Sequence, residues 1–460
     1  MAGVGFVLRK LTQRDDLAGT LAGYFYSAVI SSGPWLFTVL CLGTLVLIGN
    51  QYLFSQDIAE FRIIIIYNFA FSLVLSAPVF MVVTRYLADM IYAQDVSGAP
   101  GALVGMLTLV YGLAVPLVVA FYFFYAEMAL WIKLLAVANF LLITGIWLTS
   151  VFVSALKEYA AIARSFAVGM LIAVLAAVFL SLDFGISGLL AGFNLGLLFI
   201  LSDLIARILA EYPYRVREPF AFLDYFRSHW EIALSGLIYN LAIWADKWVM
   251  WSADESIRQD NGLISYPYYD GAMFLAYLSI VPAIALFTFS VETGFYEKYQ
   301  RFYQDIQNHA TYARIQHNAQ VVWTTVLSHA RNILVLQLTV AVSLILIAPA
   351  LLGWLQTSPM QLGIFRYGVL GTAFHAFTLF LMTILTYFDA RLKVLYVSIV
   401  FLVTNTLFTW ASLGLGLSWY GWGYALSSIA SFTVAYVLMA DHIKKLPFET
   451  FVVSNASARL

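Results

Sequence analysis

Charge is scarce in this 460-residue chain, where only 11% of residues are Asp, Glu, Lys or Arg. A soluble globular domain carries about 25%. Hydrophobic residues reach 62% and the mean hydropathy is +0.86. No soluble core hides that much apolar surface, so lipid must solvate much of it. The formal net charge of −1 and the lack of a basic stripe exclude nucleic acid as a partner. Cysteine is nearly absent. The one present, Cys41, sits in an apolar run, which excludes an internal disulfide and a cysteine-rich metal site and leaves it a small buried residue. Catalytic motifs are missing too: no GxxxxGK[ST], HExxH or GxSxG occurs, and no DxD or QxxRW of the kind found in membrane glycosyltransferases. ATP hydrolysis and sugar polymerisation are thereby excluded. No enzyme activity, metal or cofactor is expected.

What is present is a series of apolar runs. A membrane-spanning helix needs about 20 largely apolar residues. That rule places helices near 21–49, 61–84, 102–125, 129–155, 160–181, 186–208, 230–252, 269–291, 331–352, 363–388, 394–414 and 420–440. The first follows a basic start (Arg9, Lys10, Arg14) and exceeds the length of a signal-peptide core, so it reads as a retained span. With both termini on the cytoplasmic side, 19 of the 24 Lys and Arg residues fall inside, leaving Arg62, Lys133, Lys247, Arg258 and Arg366 outside or within spans. The expected division is a cytoplasmic N-terminal segment (1–20), an N-lobe of six helices (21–208), a cytoplasmic linker (209–229), a C-lobe of six helices (230–440) and a cytoplasmic tail (441–460). The C-lobe carries a cytoplasmic amphipathic segment at 292–329, and an acidic external loop runs from Ser252 to Pro267. Three weak matches recur in the same order in both halves: Ser76-Ala-Pro78 with Ser279-Ile-Val-Pro282, the turns 155–159 with 389–393, and the glycine turns 184–188 with 420–423. They imply a pseudo-two-fold axis along the membrane normal, with substrate between the halves.

The seventh span holds the most informative polar pattern. At about 100° per residue, Tyr239 and Asp246 share one stripe, and Asn240 and Lys247 the next, with Trp244 nearby. A charge at the bilayer centre costs about 2.5–3.5 kcal/mol on insertion scales, so such residues face a cavity or a partner. Tyr239, Asn240, Trp244, Asp246 and Lys247 are therefore candidates for a substrate pathway. The plainer alternative has Lys247 snorkelling to the interface and Asp246 pairing locally. Arg85 and Asp89, four apart at one end of the second helix, with Glu292 at the matching end of the eighth, are candidates for a cytoplasmic gate; the alternative is an interfacial pair of little energy. Asp203 and Arg207 invite only that plainer reading. His309, His317 and His329 lack the spacing of a metal site and read as surface, while His375 is either pathway-lining or bonded between helices. The 17% aromatic content is first of all an interfacial belt, and only Tyr239 and Trp244 stand out as sugar contacts.

Met1-Ala-Gly-Val-Gly-Phe-Val-Leu-Arg-Lys10 with Val29-Ile-Ser-Ser-Gly-Pro-Trp35 resembles the N-terminal signature of the PelG family. The likeness continues through Tyr239-Asn240-Leu, Trp244-Ala-Asp-Lys247, the Pro282 helix leading to Glu292-Thr, and the Phe-Glu-Thr-Phe451 tail. The resemblance implies an all-α membrane protein of the multidrug/oligosaccharidyl-lipid/polysaccharide (MOP) exporter superfamily, with about twelve transmembrane helices in two pseudo-symmetric six-helix lobes around a central cavity. It implies transport of Pel, an N-acetylgalactosamine-rich biofilm exopolysaccharide, across the bacterial inner membrane. A cytoplasmic PelF-like glycosyltransferase and PelD- and PelE-like membrane proteins are the implied partners. It supplies no site residues. A flippase for lipid-linked oligosaccharide, a cation-coupled drug exporter and a scaffold recruiting the glycosyltransferase are the competing expectations.

Overall fold

A computed structural model describes residues 17–155, 159–355 and 357–446; the side chains of residues 17–22, 292 and 293 are also outside the described set. The N-terminal signature up to Arg14, Lys157, Glu292 as a side chain, and the 447–460 tail therefore lie outside the described residues.

The chain is helical nearly throughout. In order come α1 (Leu17–Gly49), α2 (Ser55–Tyr92), α3 (Ala99–Ala120), α4 (Leu130–Ala155), α5 (Tyr159–Glu211), the short α6 (Leu223–Ser228) and α7 (Trp230–Met250). A two-stranded hairpin, β1 (Ile257–Arg258) and β2 (Ile264–Ser265), precedes α8 (Pro267–Leu278) and α9 (Val281–Ser290). Then follow α10 (Tyr296–Gln307), α11 (Tyr312–Trp354), α12 (Gln361–Tyr387), α13 (Arg391–Leu415) and α14 (Trp422–Lys444). Among the described residues, ten helices are long and apolar enough to cross a membrane. This is an all-α, multi-pass membrane protein.

Each expected span is helical, and the departures have local causes. The spans at 160–181 and 186–208 form the single 53-residue α5, which breaks at Gly185, where φ is 55° and ψ −134°. A side chain is strained at that φ and glycine is not. The expected spans from 129 and from 102 are separated by a π turn over Phe121–Tyr125, closed by Ala126 N–H donating to Phe121 O at 3.2 Å. The span near 269–291 is two helices, α8 and α9, because Pro282 has no N–H to give the ladder. Buried Gln337 donates Nε2 to Ser279 O at the break, 3.0 Å away. The segment at 292–329 and the span after it are not separate: α11 runs unbroken for 43 residues. α7 is a full 21-residue helix, but Trp230, Trp244, Trp248, Asp246 and Lys247 keep it below the apolarity of the ten.

Two compact units organise these elements. One holds Ser32–Trp244 with Trp251–Tyr266. Its core is α2 against α4 and α4 against α5. Glycines let the two halves of α5 approach each other closely: a Cβ at Gly192 would land on the backbone of Ala176 and Ala177, and one at Gly169 on Ile200. The segment at 209–229 is docked in the same way, since Gly101 and Gly105 of α3 lie against the carbonyls of Arg217 and Pro219. Gly105→Val is expected to lift this segment off α3, seen as faster proteolysis within 209–229 at unchanged cleavage elsewhere.

The second unit holds Ala245–Met250, the described residues from Pro267 onward and those before Ser32. Its centre is α12, packed by α8, α11, α13 and α14. Gly371 admits the ring of Tyr424, and Gly423 admits the backbone of Thr409. An aromatic cluster of Phe295, Tyr299, Tyr387 and Phe388 ties α10 to the end of α12, with Tyr299 OH donating to Tyr387 O at 2.9 Å.

Candidate functional site

Asp246 is fully buried in the second unit, and its carboxylate accepts four hydrogen bonds. Lys247 Nζ donates to its Oδ1 at 3.0 Å and Oδ2 at 3.1 Å. Tyr269 OH from α8 donates to Oδ2 at 3.0 Å, and Asn405 Nδ2 from α13 to Oδ1 at 3.4 Å. Successive helical residues point about 100° apart, so this pair closes only because the long lysine stem folds back. The ammonium sits 4.8 Å from the centroid of the Tyr277 ring. A cation over an aromatic face, with a carboxylate beside it, is electrostatically satisfied without water. Tyr277 borders buried His375 and Tyr424, at centroid distances of 6.2 and 5.5 Å. His375 packs edge-on against Phe401 at 5.0 Å. It lies with the aromatic rings that surround the charge pair.

The other ribbon residues divide from this pair. Tyr239, Asn240 and Trp244 fall in the first unit, Asp246 and Lys247 in the second. Asn240 is buried and donates back to Gly236 O at 2.8 Å, while Tyr239 and Trp244 are half-buried. Lys247 is buried to within 8% and does not snorkel. At the expected gate, Arg85 and Asp89 pair at 3.2 Å with more than a third of each side chain exposed, which limits the pair to about 0.2–1 kcal/mol. Tyr225 of α6, edge-on to Tyr86, lies beside them; burial first, then the Asp89 charge, holds its phenol pKa above the usual value. Asp203 and Arg207 pair at 2.9 Å, with Ser165 also donating to Asp203.

A second polar network had no counterpart in the sequence reading. Three buried asparagines link the core helices of the first unit: Asn68 Nδ2 donates to Asn139 Oδ1 at 2.8 Å, and Asn139 Nδ2 to Asn194 Oδ1 at 2.7 Å. Asn194 ends the chain on Leu135 O at 2.9 Å, and Tyr122 OH donates to Asn68 Oδ1 at 2.7 Å. Beside it lies a cavity of about 650 Å³ lined mainly by leucine, valine and phenylalanine, with Tyr67, Asn68 and Tyr122 as its polar members. Asn68 and Tyr122 are already bonded to each other, so this cavity offers a sugar little to hold. Lone amides inside apolar runs at 68, 139, 194 and 405 were the available signal, since such groups mark interhelical bonds.

The model of the family described as "PelG: Putative exopolysaccharide Exporter (EPS-E)" matches residues 1–451. The chain belongs to the PelG family. Solved structures similar to this PelG-family chain are transporters. An outward-facing multidrug resistance MATE transporter of the MOP superfamily is 16% identical with a TM-score of 0.64, over 92% of this chain and 96% of that one. A MOP superfamily transporter from Pyrococcus furiosus, described as having a binding pocket of reverse polarity, gives the same figures. A MATE in its straight conformation is 17% identical with a TM-score of 0.61, over 96% of this chain and 98% of that one. At this identity the likeness establishes the fold. A search of curated proteins finds no match. The PelG-family chain is a transporter and not an enzyme.

Proposed function

We propose that this chain carries a Pel-type, N-acetylgalactosamine-rich exopolysaccharide across the bacterial inner membrane, with both termini in the cytoplasm. The observation that carries the reading is the closed Asp246–Lys247 pair. Its charges neutralise each other within 3.0 Å, and Tyr269 and Asn405 take up further lone pairs of the carboxylate. An ammonium already tethered to the carboxylate occupies the place a coupling cation would need, which disfavours a cation-coupled drug exporter. A lysine committed to an aspartate is likewise a poor pyrophosphate receptor, which disfavours a lipid-linked oligosaccharide flippase. A neutral N-acetylated polymer needs neither. Tyr239, Asn240, Trp244, Asp246 and Lys247 contribute to or order the pathway, and Arg85, Asp89 and Glu292 its cytoplasmic gate. A PelF-like glycosyltransferase delivers the polymer, with PelD- and PelE-like proteins completing the assembly. The family match over residues 1–451 and the MOP-type fold support the reading.

The test is reconstitution in vesicles with the glycosyltransferase and labelled sugar nucleotide. Polymer is expected inside the lumen whether the buffer cation is sodium or choline. A strict sodium requirement, or transport of lipid-linked oligosaccharide alone, would overturn the proposal.

A further inference from the structure

The end of the first unit that holds the β1–β2 hairpin contains a polar pocket that the transport reading leaves unused. It encloses about 320 Å³ and is lined by Tyr125, Glu127, Arg258, Gln259, Asp260 and Gly262. That volume is at the small end of ligand sites and admits a single sugar ring, not a length of polymer. Its lining mixes two carboxylates, a guanidinium, an amide and one aromatic ring. From this geometry we infer that the pocket is a carbohydrate subsite, which takes one pyranose unit without negative charge from the transported polymer. The inference rests on the transport reading for the polymer, and on the pocket alone for its ligand.

Each wall of the pocket suits a pyranose. Sugar hydroxyls donate to carboxylates such as Glu127 and Asp260, and accept from Arg258 and Gln259, so one ring satisfies both kinds of group. The C–H face of a pyranose packs on an aromatic ring, and Tyr125 is 49% exposed. Behind Tyr125 the rings continue in near-parallel order. Tyr125 stacks on Phe121 at 5.4 Å and 24°, Phe121 on Tyr67 at 5.9 Å and 24°, and Tyr67 on Trp251 at 4.7 Å and 9°. The π turn at Phe121–Tyr125 gives the Tyr125 ring its place at the end of this stack, and such turns recur at functional sites.

The opposite wall is fixed with equal care. Tyr67 OH donates to Ile264 O at 2.8 Å and accepts from Ile264 N–H at 3.2 Å, so a ring within the stack also holds the hairpin. Glu127 N–H donates to Asn261 O at 3.0 Å, and Asn261 Nδ2 to Glu60 at 3.3 Å. Gln56 donates to Asp260, and Gly262, with φ of 82°, makes the turn that carries Gln259 to Leu263. Arg258 forms no ion pair with Glu127 or Asp260 among the described residues, so these groups do not cancel across the pocket. A site held this firmly before its ligand arrives loses little freedom on binding.

Charge sets the specificity. Glu127 and Asp260 line the pocket with Arg258, and Glu60 stands behind Asn261. The excess of carboxylate repels a uronic acid and tolerates a neutral or an amine-bearing ring.

The experiment uses the full chain in nanodiscs and titrates tetramers of N-acetylglucosamine, glucosamine and galacturonic acid by calorimetry. The first two are expected to bind and the third not. Tyr125→Leu and Arg258→Met are each expected to raise the Kd of the N-acetylglucosamine tetramer about tenfold with an unchanged thermal midpoint. Tyr67→Phe keeps the ring stack but frees the hairpin, and is expected to weaken binding while leaving the glucosamine to galacturonate preference intact. Binding that is unchanged in Tyr125→Leu and Arg258→Met, or tight binding of galacturonate, overturns the subsite. If wild-type vesicles export polymer while the chain binds no tetramer, the subsite falls and the transport reading stands. If the tetramers bind as expected but vesicles export nothing, the transport reading falls and the subsite stands.

Discussion

Lys247→Met is expected to remove most of the folded chain from the membrane, and the double variant Asp246→Asn with Lys247→Met is expected to restore it. The single change leaves a carboxylate of zero exposure with its nearest cation gone. Breaking one side of a buried pair costs about 3–5 kcal/mol, because the surviving charge is uncompensated. Tyr269 and Asn405 still donate, but two neutral donors do not replace an ammonium. The double variant removes both charges together, and an uncharged pair of similar volume is often neutral for stability. Membrane protein level and the thermal midpoint after extraction are the measurements. Equal levels in the single and double variants would show that the pair does not act as a unit. At matched protein level, secretion by the double variant separates the roles: a fall to a small fraction of wild type is expected if the pair orders the pathway, and full secretion would confine it to stability.

Asn139→Leu should produce the second large effect. It severs two links at once, leaving Asn68 Nδ2 with Ala136 O as its one remaining acceptor and Asn194 Oδ1 without its donor, all three residues being buried. Each polar group left unsatisfied costs about 1–3 kcal/mol, so the expected loss is about 2–6 kcal/mol. Asn194→Leu orphans the other end of Asn139 and is expected to cost less, since Asn68 keeps both Asn139 and Ala136 O as acceptors. Unfolding of the purified protein checks the order. A midpoint unchanged by Asn139→Leu would mean that the three amides are not one another's partners.

The architecture was legible because its cause is additive. Twenty apolar residues in a row read the same whatever packs against them, so every expected span is helical. The break at Gly185 was legible because backbone chemistry marks it, while the one at Pro282, inside an unbroken apolar run, was not. The continuity of α11 was not, because the polar residues from Tyr312 to His329 and the apolar ones beyond obey one helical register with no breaker between them. For the site, hydropathy exposed Asp246 and Lys247 as costly residues, but could not name Tyr269, Tyr277 or Asn405, which are 23 to 159 positions beyond Asp246 in sequence. The polar hairpin pocket was hidden for the same reason. Its walls come from 125–127 and 258–262, brought together by Tyr67. Long-range pairing leaves no local periodicity to read.

α11 carries a mechanical consequence. Its 43 residues extend about 65 Å at 1.5 Å per residue, while the hydrocarbon core is about 30 Å thick. The rod is thus about twice as long as one crossing needs, and its polar first part, from Tyr312 to about His329, carries the excess. There Asp305 of α10 binds Arg314 at 3.0 Å and also Asn318, so this part is braced by a second helix. No glycine or proline interrupts the rod before Pro349. A braced arm of this kind is a lever: a load applied at Tyr312 is expected to reach α12, against which the far part of the same rod packs.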